Sequence, residues 1–367
     1  MDRKYMERAL ELSKRGIGFT KPNPLVGAVI VKDGKIIGEG YHQYFGGPHA
    51  EINAINNAKE DVKGATIYVT LEPCSHYGKT PPCAKAIVES GIAKVVVGMK
   101  DPNPLVAGKG IDILEKSGIE VITGILEDDI KKLNEIFIKY ITTGLPFCIL
   151  KTAMTLDGKT ATVTGDSKWI TGEGSRRYVH ELRHKVSAVM VGIGTVLADD
   201  PMLTTRLEGV QAVDPVRVIV DTKARIPLAA KVLNLKSEAK TIIAATSKAD
   251  RDRLDAIKSK GAEVIITPPS DGKVDLGYLC RQLGERGIDS ILLEGGSELN
   301  YSALEQGIVD KVVLFISPKI VGGNNAKTPV GGKGIPFIKG AIALVKTEIL
   351  RFNEDFVIEG YLRKEEK

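Results

Sequence analysis

The sequence predicts an α/β protein of two domains. Along most of its 367 residues, apolar runs of strand length alternate with amphipathic segments of helical period. Such alternation is typical of helices packed on a central sheet. The chain is also long for a single hydrophobic core. Because the turn-forming sequence Gly144-Leu145-Pro146 separates two series of elements, we place the domains at residues 1–145 and 146–367.

In the first domain, an amphipathic segment is followed by two apolar runs joined by Asp33-Gly34, which is a strong hairpin signal. The alternation downstream indicates an α/β sandwich about a mainly parallel sheet. The predicted strands are 28–32, 35–39, 65–71, 94–99 and 119–123. The predicted helices are 1–15, one that carries His49 and Glu51, 84–90, one that ends at residue 118, and 127–143.

In the second domain, the pattern predicts strands at 147–154, 187–191, 216–221, 241–245, 263–267 and 290–293, helices at 173–185 and 275–286, a loop at 192–201 and a closing hairpin of 343–350 with 355–361. Gly192 and Gly194 begin a dinucleotide-binding fingerprint, but Leu197 occupies the third glycine position, so that motif fails. Gly295 and Gly296 follow the last inner strand, where bare glycines let backbone N–H groups approach a phosphate. Helix capping by Ser297 is an alternative, but it does not require both glycines.

Composition and charge exclude several classes of protein. Apolar residues make up 43% of the chain and charged residues 26%, as in an ordinary globular protein. A net charge of +5 and 5% aromatic residues argue against a nucleic-acid binder, which needs a basic stripe with stacking aromatics. Four unevenly spaced cysteines do not form a disulfide framework, so we expect a reducing cytoplasm. No apolar run has the length of a signal or membrane segment.

The residues best suited to chemistry lie between positions 49 and 83. Cys74 leaves the end of a predicted strand, and Cys83 opens a short helix, where unpaired N–H groups stabilise a thiolate. With His49 they supply three ligands of a tetrahedral zinc ion and leave the fourth position to water, as in catalytic zinc sites. Glu51 follows His49 on the same predicted helix but points elsewhere, so it can exchange protons with that water.

Two other interpretations of these residues stay open. A closed, structural zinc site would need a fourth ligand, for which His76 is the obvious candidate. The cysteines can also be an ordinary reduced pair.

The sequence His49-Ala50-Glu51 with Pro73-Cys74 and Cys83 resembles the cytidine-deaminase superfamily, whose signature joins H-x-E to P-C-x-x-C. Here eight residues separate the cysteines instead of two, and this insert is similar to that of riboflavin-biosynthesis deaminases. The resemblance implies a cytidine-deaminase-like α/β/α sandwich, one zinc ion and Glu51 as the catalytic acid and base. It also implies substrate contacts at Asn23, His42, His76, Lys79, Asp101 and Asn103. By residue type alone, Asn23 can be a turn residue and His42 a surface or packing histidine.

Four segments of the second domain, at 167–171, 192–201, 203–206 and 293–297, resemble in order the reductase domain of the same biosynthetic family. The resemblance implies a dihydrofolate-reductase-like α/β fold that uses NADPH. Substrate would contact Lys151, Ser167, Arg183, Leu203, Arg206 and Glu294, with the arginines on its phosphate. The cofactor would contact Ala153, Trp169, Thr171, Thr195, Asp199, Gly295, Gly296, Ser297, Glu298, Leu299 and Asn300. For Trp169, a core aromatic is the alternative.

Together the halves resemble the bifunctional riboflavin-biosynthesis family. This implies deamination of 2,5-diamino-6-ribosylamino-4(3H)-pyrimidinone 5′-phosphate, and then NADPH reduction of 5-amino-6-(5-phosphoribosylamino)uracil to the ribitylamino product. We expect small phosphorylated pyrimidine substrates, a homo-oligomer, and no nucleic-acid or membrane partner. The alternatives are an RNA or nucleotide deaminase with a non-reductase C-terminal module, and a zinc scaffold without activity.

Overall fold

The computed structural model describes residues 2–75 and 82–363. Backbone contacts divide the chain into two compact units between Gly144 and Leu145, and each unit has its own sheet. No helix in the described ranges is long and apolar enough to cross a bilayer.

The first unit is built on a five-stranded sheet. Its strands are β1 Gly27–Lys32, β2 Lys35–Tyr41, β3 Thr66–Leu71, β4 Lys94–Met99 and β5 Glu120–Thr123. Its helices are α1 Asp2–Ser13, α2 Ala50–Asn56, α3 Cys83–Glu89, α4 Lys109–Lys116, α5 Glu127–Leu133 and α6 Glu135–Thr143, with a 3₁₀ turn at Lys14–Gly16.

The strand order in this sheet is β2-β1-β3-β4-β5. The predicted hairpin is present, and β1 runs antiparallel to both β2 and β3, while β3, β4 and β5 are parallel. The sheet is therefore mixed, and the prediction of a mainly parallel sheet was wrong for its β2–β1–β3 half. The carboxyl end of β3 leads into the segment that carries Cys74.

The helix predicted at 127–143 is two helices, α5 and α6, with a break at Asn134. The buried Asn134 side chain accepts a hydrogen bond from Leu25 N–H at 2.8 Å and donates to Leu25 C=O at 3.1 Å. These two bonds satisfy the backbone of a buried residue far away in sequence, and the pattern of apolar residues along the helix gives no sign of them.

The second unit contains a nine-stranded sheet. Its strands are β6 Phe147–Thr155, β7 Ala188–Gly192, β8 Val216–Val220, β9 Thr241–Thr246, β10 Glu263–Thr267, β13 Ser290–Leu293, β14 Lys311–Ser317, β15 Leu344–Phe352 and β16 Asp355–Leu362, and β11 Pro269–Ser270 pairs apart with β12 Lys273–Val274. Its helices are α7 Glu173–Lys185, α8 Ile193–Asp199, α9 Lys231–Asn234, α10 Arg251–Ser259, α11 Leu276–Gly284 and α12 Ser297–Glu305, with a 3₁₀ turn at Ile338–Gly340.

The order in the large sheet is β10-β9-β8-β7-β13-β6-β14-β16-β15. The seven strands β10, β9, β8, β7, β13, β6 and β14 are parallel. The predicted closing hairpin follows them, with β16 antiparallel to β14 and β15 antiparallel to β16. The first part of the segment predicted as a loop after β7 is instead the helix α8. Its residues Ile193 and Val196, three positions apart, lie on one face of this helix and are buried. The carboxyl ends of β7, β8 and β13 thus open onto one edge, where parallel sheets usually bind ligands.

Candidate active sites

The structure brings His49, Cys74 and Cys83 together at one point of the first unit. Their ligand atoms all lie within 4.8 Å of one another. The Nδ1 atom of His49 is 3.6 Å from Cys74 Sγ and 3.3 Å from Cys83 Sγ. Usual zinc–nitrogen and zinc–sulfur bond lengths at a tetrahedral angle require about 3.6 Å between such atoms. The three side chains therefore fit a zinc ion.

Local backbone structure holds the two thiols in place. Cys83 is the first residue of α3, and its N–H donates to Cys74 Sγ at 3.2 Å. The hydrogen bond from the Cys83 thiol, helped by His49, lowers the pKa of Cys74 to about 4. The same hydrogen bond, followed by burial, raises the pKa of Cys83. The pair of thiols therefore carries one negative charge, on Cys74, even without a metal. A negative charge at this point attracts a cation.

Glu51 lies in the first turn of α2 and is only 3% exposed. Burial raises the pKa of its carboxyl group to about 7. A buried carboxyl group with such a pKa can both take and return a proton near neutral pH. The prediction that His49 lies on this helix was wrong. His49 precedes α2 in extended conformation, with φ −72° and ψ 166°.

His42 is buried, so it is not a surface histidine. Its Nδ1 lies 3.0 Å from the carbonyl oxygen of Pro48, and a carbonyl accepts, so this nitrogen carries the proton. Its Nε2 then accepts from the Asn23 amide at 3.2 Å. The rings of His42 and His49 meet edge to face with centroids 5.6 Å apart. The predicted residues Asn23 and His42 thus form one pair beside a metal ligand, whereas His76 and Lys79 lie outside the described residues.

Glu72 is a residue that the sequence reasoning missed. Its buried carboxylate accepts backbone N–H bonds of 2.9 to 3.4 Å from the loop after β4, at Asp101 and Gly108, and from the first turn of α4, at Gly110 and Ile111. That loop carries the predicted substrate residues Asp101 and Asn103, and Asp101 Oδ1 in turn accepts from Asn103 N–H at 2.8 Å. Glu72 therefore fixes the loop next to Pro73 and Cys74. Because its partners are backbone groups, no pattern of residue types could reveal it.

The second unit contains a cavity of about 670 Å³ at the carboxyl ends of β7, β8 and β13. This volume is within the usual range for ligand pockets, about 300–1,000 Å³. Its walls include many of the predicted residues, namely Ser167, Thr195, Asp199, Glu294, Gly295, Gly296, Ser297, Glu298 and Leu299. A side chain at Gly295 would put its Cβ 2.9 Å from Asn300 Oδ1 and 3.1 Å from the Leu299 side chain, so a larger residue would require both side chains to shift. The glycine turn before α12 and the size of the cavity both fit a dinucleotide cofactor.

Other predicted cofactor residues lie elsewhere. Trp169 lines a smaller cleft of about 110 Å³ that Ser167 also borders. It is 64% exposed, and the guanidinium of Arg176 stacks 4.8 Å from its ring centroid, so the alternative of a core aromatic was wrong. Thr171 offers its carbonyl to Arg176, Ala153 lies in β6, and the Asn300 amide donates to Pro329. These residues are not in the walls of the larger cavity.

A buried ion cluster lies against the cavity. Arg183 forks onto Glu294 with distances of 2.6 and 3.1 Å, and Lys151 Nζ lies 3.7 Å from the same carboxylate. Burial acts to raise the pKa of Glu294, but Arg183 and Lys151 outweigh it and bring the pKa to about 2. The fork of Arg183 is thus occupied by Glu294, whereas Arg206 is exposed. Leu203 is buried, with a left-handed backbone at φ 55°.

Comparison with known families decides what these two units are. Residues 146–358, more than half of the chain, match the family described as the RibD C-terminal domain. The chain belongs to the RibD family. Residues 1–99 of this RibD-family chain match the cytidine and deoxycytidylate deaminase zinc-binding region. The resemblance drawn from the zinc motif and from the four reductase segments is therefore confirmed.

Curated relatives extend the match over the whole length. The chain is 49% identical over 358 residues to the riboflavin biosynthesis protein RibD of Actinobacillus pleuropneumoniae, which covers 98% of this chain and 94% of that protein. It is 46% identical to RibD of Aquifex aeolicus, with 98% of each chain covered.

Solved structures agree with the fold. The chain superposes on RibD of Acinetobacter baumannii with a TM-score of 0.89 at 39% identity, covering 99% of both chains. It superposes on the Thermotoga maritima diaminohydroxyphosphoribosylaminopyrimidine deaminase/5-amino-6-(5-phosphoribosylamino)uracil reductase with a TM-score of 0.86 at 43% identity, again over 99% of both chains. The predicted fold class, a deaminase-like domain followed by a reductase domain, is confirmed.

Proposed function

We propose that this chain is a bifunctional enzyme of riboflavin biosynthesis. Its first domain, residues 1–145, deaminates 2,5-diamino-6-ribosylamino-4(3H)-pyrimidinone 5′-phosphate, and its second, residues 146–367, reduces 5-amino-6-(5-phosphoribosylamino)uracil with NADPH. The observation that carries this proposal is that one chain holds both a His-Cys-Cys cluster beside a buried glutamate and a separate dinucleotide-sized cavity. A deaminase with a non-reductase second module would not need that cavity.

In the deamination, His49, Cys74 and Cys83 would hold one zinc ion. When bound, zinc supplies a Lewis acid that makes water nucleophilic near neutral pH. Glu51 takes one proton from the attacking water and delivers it to the ring nitrogen. It then carries the remaining hydroxyl proton to the amino group, which leaves as ammonia while the ring carbonyl forms. A pKa of about 7 suits both transfers. Asn23, held by His42, and the loop that Glu72 fixes would position the pyrimidine.

In the reduction, hydride transfer is the chemistry of the nicotinamide cofactor, and the protein supplies binding and orientation. Backbone N–H groups at the start of α12 and the bare glycines before it would cradle the cofactor phosphates. Glu294 lines the cavity and also holds Lys151 and Arg183, so it sets the position of two cations next to the substrate.

We further propose a cytoplasmic location and a homo-oligomer. All four cysteines are present as free thiols, which fits a reducing compartment. The large apolar side chains of Phe337, Ile338 and Ile349 are between 70% and 92% exposed, which supports a further copy covering them.

The test is incubation of the purified chain with the diaminopyrimidine ribotide and NADPH. We expect ammonia release first and then loss of the nicotinamide absorbance, with the ribitylamino product identified by mass. Ammonia release without cofactor oxidation would support only the deaminase half of the proposal. The absence of both signals in zinc-replete protein would contradict the whole proposal.

A further inference from the structure

His180, on helix α7, contacts Arg206 through both of its ring nitrogens. The backbone N–H of Arg206 donates to His180 Nδ1 at 3.2 Å. A ring nitrogen that accepts a hydrogen bond carries no proton, so in the neutral ring the proton is on Nε2. This bond therefore fixes the tautomer.

The other nitrogen faces a second donor. His180 Nε2 lies 3.4 Å from a terminal nitrogen of the Arg206 guanidinium, and a guanidinium can only donate. Two donors at this distance do not form a hydrogen bond with each other. A single anionic oxygen placed against both would accept from each at about 2.8 Å, the usual length of a charge-assisted bond.

The local charge favours an anion at this point. The charged groups that act on His180 are three cations, Arg183, Arg206 and Lys151, and one anion, Glu294. Burial, followed by the nearby Arg183, lowers the pKa of His180 to about 4, so the ring stays neutral at physiological pH. The ring can then keep Nδ1 as an acceptor and Nε2 as a donor together.

Arg183 connects this pair to the cavity. It forks onto Glu294, which lines the cavity, and its Nη1 donates to the carbonyl of Thr204 at 2.9 Å. The hydroxyl of Thr204 accepts from Arg206 at 3.3 Å. A continuous chain of contacts therefore runs from the cavity wall to the exposed guanidinium.

We propose that His180 Nε2 and the Arg206 guanidinium together bind the phosphate group of the reductase substrate. This proposal rests on the proposed function, which supplies a phosphate monoester as substrate. The resemblance already implied a phosphate contact for Arg206, and the new element is His180 as a second donor to that phosphate.

The chain contains a matched control one helical turn away. His184 also accepts a backbone N–H through Nδ1, from Val213 at 3.2 Å, and its ring is buried. Both histidines thus anchor a loop to α7, but the contact of a ring Nε2 with Arg206 is made by His180. A purely structural role predicts similar effects for the same substitution at either position.

The test compares three variants, His180→Asn, His180→Gln and His184→Asn. Asparagine places a polar atom near the Nδ1 position and removes Nε2, whereas glutamine reaches the Nε2 position with an N–H donor. We expect His180→Asn to raise the KM for the deaminated ribotide about 10-fold to 100-fold, the value of a hydrogen bond to a charged group. His180→Gln should recover much of this loss, and His184→Asn should show little of it.

The same assays are run with the dephosphorylated substrate, for which His180→Asn should change kcat/KM little. Calorimetric titration with ribose 5-phosphate provides a readout without turnover, and the variant should bind this probe 10-fold to 100-fold more weakly, again as one charged hydrogen bond predicts. Equal losses with both substrates, or equal losses in His184→Asn, would overturn the assignment. If wild-type protein reduces neither substrate, the proposed function fails, and the titration still decides whether His180 binds phosphate.

Discussion

Two buried glutamates, one in each unit, have opposite electrostatic surroundings. Burial raises the pKa of Glu51 to about 7. The Glu294 side chain is 11% exposed and burial acts on it in the same direction, but Arg183 and Lys151 bring its pKa to about 2. The first carboxyl group can change its charge near neutral pH, and the second cannot. The comparison teaches that burial alone does not define a proton carrier, since the neighbouring cations decide whether the group titrates or remains a fixed anion.

The first way to break this comparison is to remove the metal that Glu51 is proposed to serve. Cys83→Ser should lose zinc and essentially all deamination, because the thiolate is one of three ligands. Metal analysis of the purified variant and ammonia release measure the two effects. Cys148→Ser is the matched control, since Cys148 is equally buried but lies in the core of the other unit. Zinc at the wild-type level in Cys83→Ser would contradict the ligand assignment.

Glu51→Gln tests the proton carrier itself. The amide keeps the size of the side chain but cannot take and return a proton, so deamination should fall at least ~10²-fold to 10⁴-fold. Zinc content should stay at the wild-type level, because Glu51 is not a ligand. Reduction of already deaminated ribotide should continue at the wild-type rate, which serves as the internal control. Near-normal ammonia release would remove Glu51 from the mechanism.

Acid titration tests the fixed anion. The pKa of Glu294 is lowered in the folded state from 4.5 to about 2. Its contribution to stability, about 3 kcal/mol from this shift, is therefore complete above pH 4.5 and is lost as the pH falls toward 2. Urea unfolding of the reductase unit across that range measures the loss.

Glu294→Gln is the control for this titration. The variant should be less stable at pH 7, because Arg183 and Lys151 lose their counter-ion, and its stability should depend less on pH between 4.5 and 2. An unchanged acid profile in the variant would show that other carboxyl groups cause the loss.

The two units also differ in how far the sequence predicts their sites. Three metal ligands and one glutamate fall within 35 residues, with spacings that only a few chemistries require. The reductase cavity collects side chains from the ends of several parallel strands, and which strands are neighbours follows from the sheet order rather than from local pattern. The glycines at 295 and 296 indicated a phosphate site by themselves, whereas the other predicted wall residues came from the four-segment resemblance.

What the sequence could not predict depends on backbone partners. Glu72 holds a loop through N–H groups some 30 to 40 positions later, and His180 is oriented by the N–H of Arg206. Asn134, where the predicted single helix divides, likewise pairs through its side chain with the backbone of Leu25. Backbone groups are the same at every residue, so the residue types around them contain no signal of the pairing.

The smallest effect is expected from dividing the chain between Gly144 and Leu145. Each piece keeps its complete sheet and its own buried core. Gly144 ends helix α6 in a left-handed conformation at φ 70°, a place where the chain can stop without breaking a strand pair. We therefore expect the first piece to release ammonia and the second to reduce deaminated ribotide, both near the rates of the whole chain. A cut after Gly118, also a glycine with positive φ, is the control, because it separates β5 from β4 and should abolish deamination. If both pieces fold but neither is active, the sites share residues across the boundary, and Glu51 and Glu294 could no longer be treated as belonging to independent units.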